Sequence, residues 1–260
     1  MTSKSNNLNS SFIVRLKAAG IHLLISLTVA MLAALLVFFV WYPYPYREIS
    51  GGRELFLIVV AVDVVMGPLM TLAVFNTAKP RRELRRDLGI IGVLQLAALA
   101  YGLWTVAVSR PVHLVFEIDR FRVVHAIDIP PGFLNRAPAD LRQLPLTGPT
   151  LLSIRGFKDS KESFEATMAA LQGAELGARP DFWQPYEQAK PQVLAIAKPL
   201  ADLNARFPAN KKEIQTALQA SNREPGSVGY IPMVGRQSFW TVFIDLRTAE
   251  VLAFVPIDSF

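Results

Sequence analysis

The feature that most constrains this chain is the apolar stretch Leu55–Phe75, which carries a single charged residue, Asp63. A helix needs about 20 apolar residues to cross the hydrocarbon core of a bilayer, and this stretch is long enough. A carboxylate is costly in that environment and normally faces protein or water. The stretch is therefore predicted to be a transmembrane helix, and Asp63 is a candidate functional residue.

Small and helix-bending residues follow this acid. Gly67 and Thr71 lie four and eight positions after Asp63, which places the three residues on one face of a helix. Pro68 has no backbone N–H and crowds the carbonyl group of Val64, so a kink is predicted there. The expected element is a bent helix with a small, polar face.

Two further apolar stretches complete a predicted membrane region at residues 20–110. The chain is 52% hydrophobic and has a mean hydropathy of +0.31, which is typical of a membrane protein with a sizeable soluble part. Three transmembrane α-helices are predicted, at 20–42, 55–75 and 88–108. Aromatic residues at the end of the first are predicted to form an interfacial belt: Trp41, Tyr42, Tyr44 and Tyr46.

The distribution of charge orients these helices. The net charge of +6 comes from the first 110 residues, whereas residues 111–260 are neutral overall. The positive-inside rule places the N-terminal segment 1–19 and the basic loop after Phe75 in the cytoplasm, so residues 111–260 are predicted to lie outside, in a periplasm. A nucleic-acid-binding protein would concentrate its basic excess on the soluble domain, so no nucleic-acid partner is expected.

Residues 111–260 are predicted to form an α+β domain with antiparallel strands. A two-residue turn at Asp119-Arg120 would make a hairpin of the flanking sequences, with Phe116 opposite Val123 and Ile118 on the apolar face. Further strands are predicted at Thr150–Arg155, Val228–Val234, Phe239–Leu246 and Val251–Ile257. Helices are predicted after the capping sequence Asp159–Glu162, where Phe164, Met168 and Leu171 have helical spacing, and around Leu200–Phe207 and Asn210–Leu218.

The sequence lacks the motifs of the common enzyme classes. The absence of cysteine excludes disulfides, thiolate metal sites and cysteine nucleophiles. G-x-S-x-G, H-E-x-x-H, Walker A and G-x-G-x-x-G motifs are also absent. His113 and His125 point to opposite faces of the predicted hairpin, although a three-residue turn would place them opposite each other. We predict no catalytic residue, no cofactor and no metal site, and a protein that is not an enzyme.

Two interpretations of Asp63 remain open. In the first, it clamps two helices of this chain together, with Tyr101 as its partner, because both residues lie at nearly the same depth when counted from the cytoplasmic ends. Gln95 is offset by about 5 residues, or roughly 7–8 Å, and is a poorer match. In the second, this face of the bundle binds a partner protein. Both interpretations use the same candidate residues: Asp63, Gly67, Pro68, Thr71 and Tyr101. A proton relay is less favoured, since no second acid or base lies near Asp63 in depth.

Several motifs between residues 12 and 128 resemble those of the TfpX/TfpZ type IV pilin accessory proteins. They occur in the family's order: Gly20–Leu27, Phe38–Pro43, Gly51–Phe56, Val62–Leu69 with Val74–Asn76, and Arg110–Val124. The resemblance implies a multi-pass protein of the bacterial inner membrane that helps a cognate pilin assemble or remain stable, without being an enzyme.

The resemblance also implies the partners: a type IV pilin subunit, membrane lipid and other pilus assembly proteins. A pilin has an apolar N-terminal helix in the membrane and a globular head in the periplasm, so the three spans would contact the helix and the outer domain the head. Two rival classes are a membrane-anchored periplasmic ligand-binding or sensor protein and a small transporter subunit. The short cytoplasmic segments weaken the first, and three spans with one acid weaken the second.

Overall fold

The computed structural model describes residues 2–260, with side chains described from residue 12 onward. The described chain forms two units. One contains the residues up to Val40 together with Gly52–Ala107, and the other contains Trp41–Gly51 together with Val108–Phe260. The predicted cytoplasmic segment 1–19 begins with Met1, which lies outside the described residues.

Within the described residues, three helices are long and apolar enough to cross a membrane: Phe12–Trp41, Gly52–Val74 and Arg81–Val108. They contain the predicted spans, apart from the last residue of the first span and the last residue of the second. Two stretches have π-helical hydrogen bonding, Leu36–Trp41 and Val62–Met66. The α-helices, in chain order, are α1 (Thr2–Leu35), α2 (Tyr46–Ile49), α3 (Gly52–Ala61), α4 (Gly67–Val74), α5 (Arg81–Val108), α6 (Ser160–Leu171), α7 (Lys190–Ile196), α8 (Leu200–Arg206) and α9 (Lys211–Ser221).

The strands of the second unit form one mixed sheet. They are β1 (Pro111–Phe116), β2 (Phe121–His125), β3 (Thr150–Ile154), β4 (Trp183–Pro185), β5 (Lys198–Pro199), β6 (Val228–Val234), β7 (Phe239–Asp245) and β8 (Val251–Val255). Their order is β4-β3-β1-β2-β6-β7-β8, and β5 pairs with β6. The prediction of antiparallel strands is wrong for two pairs, since β1–β3 and β2–β6 are parallel. Both pairs join strands separated by long crossovers, and adjacent sequence carries no signal for such pairing.

The first hairpin keeps its predicted faces but not its predicted register. Phe116 lies opposite Phe121, and the N–H of Glu117 donates to the carbonyl of Arg120. The turn is therefore two residues longer than predicted, and Ile118 belongs to it and is exposed. A shift of two residues preserves the alternation of side chains, so Leu114, Phe116, Phe121 and Val123 still share one apolar cluster.

Both faces of the sheet are covered. One face carries a cluster that runs across β1, β2, β6 and β7 and is covered by α7 and by residues 46–49. The other face carries two clusters, one packed under α6 and the short turns near residues 176–183, the other under α8 and α9. A sheet that contains parallel pairs is normally buried on both faces in this way.

The segment Trp41–Gly51 is part of the second unit. Tyr42 and Ile49 are fully buried and Tyr46 is nearly so. Ile49 and Tyr46 belong to the cluster on the sheet, and the N–H of Gln237 donates to the carbonyl of Ile49. The predicted interfacial belt therefore does not form as such, because Tyr42 and Tyr46 pack inside the protein and only Tyr44 among the three tyrosines of the predicted belt is largely exposed.

Helix α6 begins at the predicted cap but presents its large apolar residues to solvent. The Asp159 side chain accepts the N–H of Glu162 at 2.7 Å, as the capping sequence indicates. Phe164 and Leu171 are exposed, and the buried residue of the helix is Ala166. The helical spacing was therefore correct, but the face that it marks is not the core face.

Candidate functional site in the membrane-length helices

Asp63 lies in the π-helical segment between α3 and α4. It is 7% exposed, and its Oδ1 atom has no hydrogen-bond partner among the described residues. Gly67 and Thr71 are buried with it, as expected for one shared face. A buried oxygen without a partner costs about 1–3 kcal/mol, and more if it carries charge. Asp63 is therefore an unsatisfied hydrogen-bond acceptor inside an apolar bundle.

The π-helical segment also changes the hydrogen bonding of the backbone carbonyl of Asp63. In π-helical bonding, the carbonyl of Asp63 would accept the N–H of residue 68, but residue 68 is proline and has none. The side-chain amide of Gln95, on α5, donates to this carbonyl instead, with Nε2 at 3.1 Å. Pro68 itself sits in the first turn of α4, where a missing N–H is tolerated. The irregularity predicted at Pro68 thus takes the form of this segment and its Gln95 cap.

Gly67 leaves room for the side-chain amide of Gln95. A Cβ atom on Gly67 would lie 1.9 Å from Nε2 of Gln95, so a larger residue there would force the amide to move away. A second close approach occurs further along α5, where a Cβ atom on Gly102 would lie 2.6 Å from Cγ2 of Val59. Small residues at helix contacts of this kind allow backbones to pack closely in membranes.

Polar residues of α1 face the same region. The ring nitrogen Nδ1 of His22 lies 2.5 Å from Oγ1 of Thr71, and Ser26 is buried. A cavity of about 160 Å³ is lined by residues from α1, the π-helical segment and α5, including His22, Ser26, Asp63 and Gln95. The expectation that no second acid or base lies near Asp63 in depth is therefore wrong, because His22 lines the same cavity.

Tyr101 does not meet Asp63. Its side chain is 69% exposed, packs beside Trp104 and lines an apolar groove of about 240 Å³ between α3 and α5. The predicted Tyr101–Asp63 hydrogen bond is therefore absent from the described residues. Depth had been counted from the ends of the apolar stretches, but α5 begins at Arg81, inside the basic loop. Gln95, which that count placed about 5 residues away, is the residue of α5 that reaches Asp63.

The sequence analysis names Asp63, Gly67, Pro68 and Thr71 as candidates, but it does not place Gln95, His22 and Ser26 beside them. Each of the three is a polar residue in an otherwise apolar stretch, which is the signal that singled out Asp63. The arrangement offers one unpaired acceptor and a small cavity beside it. Among the described residues, no group of three or more His, Cys, Asp or Glu could hold a metal ion.

The histidines of the second unit have separate local partners. His113 is buried, bonds through Nδ1 to Oγ1 of Thr150 at 2.7 Å and packs on Trp183, and burial lowers its pKa to about 4. His125 bonds through Nδ1 to Asp128 at 2.9 Å. Burial would raise the pKa of Asp128, but the His125 hydrogen bonds and Arg236 hold it below its usual value. Neither histidine forms part of the Asp63 site.

Comparisons with known proteins give a consistent result. The family model described as fimbrial assembly protein FimB matches residues 10–51. The fimbrial assembly protein of serogroup I from Dichelobacter nodosus is 37% identical over 254 residues, which cover 96% of this chain and 97% of the relative. The fimbrial assembly protein of serogroup E1 from the same organism is 36% identical over 251 residues, which cover 96% of this chain and 97% of the relative. The protein of serogroups C1 and C2 is 44% identical over 118 residues, which cover 45% of this chain and 90% of the relative. No solved structure matches the chain.

Proposed function

Because this chain belongs to the fimbrial assembly protein family, we propose that it is a bacterial inner-membrane protein that assists the assembly or stability of a type IV pilin. Its resemblance to the TfpX/TfpZ accessory proteins points to the same role. The action is chaperone-like: the protein holds the pilin by contact and releases it to the growing fibre, without a chemical step.

The observation that carries this proposal is the unpaired carboxylate oxygen of Asp63. A clamp between the chain's own helices would satisfy that oxygen, and here Gln95 bonds to the backbone carbonyl and leaves the side chain open. An acceptor that is buried, unpaired and next to a cavity is suited to a hydrogen-bond donor from another molecule. A polar group on the membrane helix of the pilin is the donor we propose, and the small face around Gly67 allows that helix to come close.

The composition of the second unit supports the proposed topology. Residues 41–51 follow the first membrane-length helix and residues 108–260 follow the third, yet both belong to one unit. If the three helices cross a membrane, the two segments must emerge on the same side, and the positive-inside rule makes that side the periplasm. The outer domain is then on the side where the pilin head lies.

Deletion of the gene tests the role, and a pair of substitutions tests the site. Deletion should reduce surface pili, measured by electron microscopy and by the sheared fraction, with a change in the cellular pilin pool. Asp63→Leu should reproduce that loss while leaving the protein's abundance and thermal stability in detergent unchanged or higher, because it removes an unsatisfied group. Normal pili in the deletion strain would overturn the proposal.

A photocrosslinker locates the contact. Leu96 lines the Asp63 cavity and Leu94 does not, although both are exposed on α5, at 67% and 58%. A crosslinker at position 96 should capture pilin, and one at position 94 should capture it far less. Equal capture at both positions, or normal pili with Asp63→Leu, would show that pilin does not bind at this cavity.

A further inference from the structure

Helix α6 has the reverse of the usual amphipathic arrangement. Its packed side is made of small residues: Ala166 is buried and Ala169 and Ala170 are partly buried. Its large apolar residues form a stripe on the opposite side, where Phe164, Met168 and Leu171 are 63%, 37% and 77% exposed. Surface helices normally place such residues against the core. We call these three side chains the α6 stripe.

The stripe is large enough to matter and is held rigidly. From the exposed fractions and the usual size of such side chains, it leaves about 300 Å² of apolar surface in water, which is the size of a functional patch on a typical monomer. Arg155 forms a two-pronged ion pair with Glu162, with both N–O distances at 2.9 Å. That pair, with the N–H of Lys158, lowers the pKa of Glu162 to about 2. Together with the Asp159 cap, it fixes the first turn of the helix, so the stripe is presented without a large ordering cost.

Size and charge exclude two occupants. Two copies of the chain joined through this stripe would bury about 600 Å² in total, which is well below the 1,200 Å² or so that a stable dimer needs. A membrane surface is also disfavoured, because the exposed charged residues on the helix, Lys161 and Glu165, are of opposite sign and form an ion pair, whereas helices that lie on anionic membranes are rich in basic residues. A small, neutral, apolar patch suits a weak contact that must later be released.

We propose that the α6 stripe docks an apolar patch on the extracytoplasmic part of the pilin. This would be a second contact, in addition to the one proposed at Asp63. This inference rests on the proposed function. The two contacts act on the two ends of one client, so each can be weak while the pair together holds the pilin, because the second contact forms at high effective concentration. The pilin leaves once the fibre competes for either surface.

A matched pair of substitutions in the full-length protein tests the stripe. Leu171 and Leu146 are exposed to nearly the same extent, at 77% and 74%, but Leu146 lies outside the stripe. Leu171→Glu and Phe164→Glu should each reduce surface pili at least several-fold, with unchanged abundance and thermal stability of the protein. Leu146→Glu should leave pili at the wild-type level. A photocrosslinker at position 171 should capture pilin, and one at position 146 should not.

The outcomes separate this inference from the proposed function. Normal pili in the Leu171→Glu and Phe164→Glu strains, or capture from position 171 of a second copy of this chain instead of pilin, would overturn docking at α6. The proposed function would survive that result as long as deletion of the gene still reduces surface pili. Normal pili in the deletion strain would instead remove the function itself, whatever the α6 variants do.

Discussion

Two buried aspartates, Asp245 and Asp63, differ in how many hydrogen-bond partners their side chains have. Asp245 is fully buried, pairs with Arg223 at 2.9 Å and accepts the N–H groups of Arg247 and Thr248. These backbone bonds, with Arg223, hold its pKa below the usual value. Asp63 is almost as buried, yet its Oδ1 atom has no partner among the described residues. The described residues therefore satisfy the side chain of Asp245 but leave one oxygen of Asp63 unsatisfied, and the proposed pilin contact would use that oxygen.

His113 should make the second unit sensitive to mild acid. Its pKa is about 4 in the folded protein and about 6.5 in an unfolded chain. The unfolded state therefore takes up a proton first as the pH falls. The free energy of unfolding should drop between about pH 6.5 and pH 4, by roughly 3 kcal/mol, and this residue should have no effect above that window.

Denaturant unfolding at a series of pH values, followed by the fluorescence of Trp183 and the other tryptophans, measures this effect. The ring of His113 lies 4.5 Å from that of Trp183, so the probe reports on the right region. In His113→Gln the drop between pH 6.5 and 4 should be smaller by the same amount. An unchanged pH profile in that variant would assign the acid sensitivity to other groups.

At the scale of elements, the contact between α4 and α5 depends on a glycine. Gly67→Ala would push a methyl group into Gln95, break the bond from its amide to the Asp63 carbonyl and destabilise the helix pair by about 1–3 kcal/mol. Gly89→Ala is the control, because nothing lies within 4 Å of that position and alanine favours a helix. In detergent, Gly67→Ala should aggregate at a lower temperature than the wild-type protein, and Gly89→Ala should not. Equal midpoints would mean that the helices do not pack through Gly67.

Some helices, strands and contacts can be predicted from the sequence, and others cannot. The last strands, β6, β7 and β8, were predicted within a residue or two, because alternating apolar residues and short turns mark them locally. The face that carries Asp63, Gly67 and Thr71 was predicted for the same reason, from helical spacing. The parallel pairs β1–β3 and β2–β6 and the Gln95 cap could not be, because each depends on the relative placement of elements far apart in sequence.

The two units of the molecule are not consecutive segments of the chain. A boundary at residue 110 follows from hydropathy, because the apolar stretches end there. Hydropathy cannot show that Trp41–Gly51 belongs to the second unit, since Tyr42, Tyr46 and Ile49 look equally suited to a membrane interface. Their burial in the sheet domain means that this domain is built from two separate stretches of chain, and residues 111–260 alone lack part of its core.

The absence of native cysteine makes the proposed topology directly measurable. Tyr44 and Leu146 are both exposed positions of the second unit, and Thr77 is exposed in the turn between α4 and α5. Single-cysteine variants Tyr44→Cys and Leu146→Cys should react with a membrane-impermeant maleimide once the outer membrane is opened. Thr77→Cys should react only after the inner membrane is also broken.

The comparison between positions 44 and 146 is the decisive part of this experiment. Because both belong to one unit, they must be labelled from the same side, whichever side that is. Labelling of positions 44 and 146 from opposite sides would mean that the segment between the first two membrane-length helices does not pack in the second unit. Labelling of both from the cytoplasm would invert the orientation and place the α6 stripe where it could not reach a periplasmic pilin head.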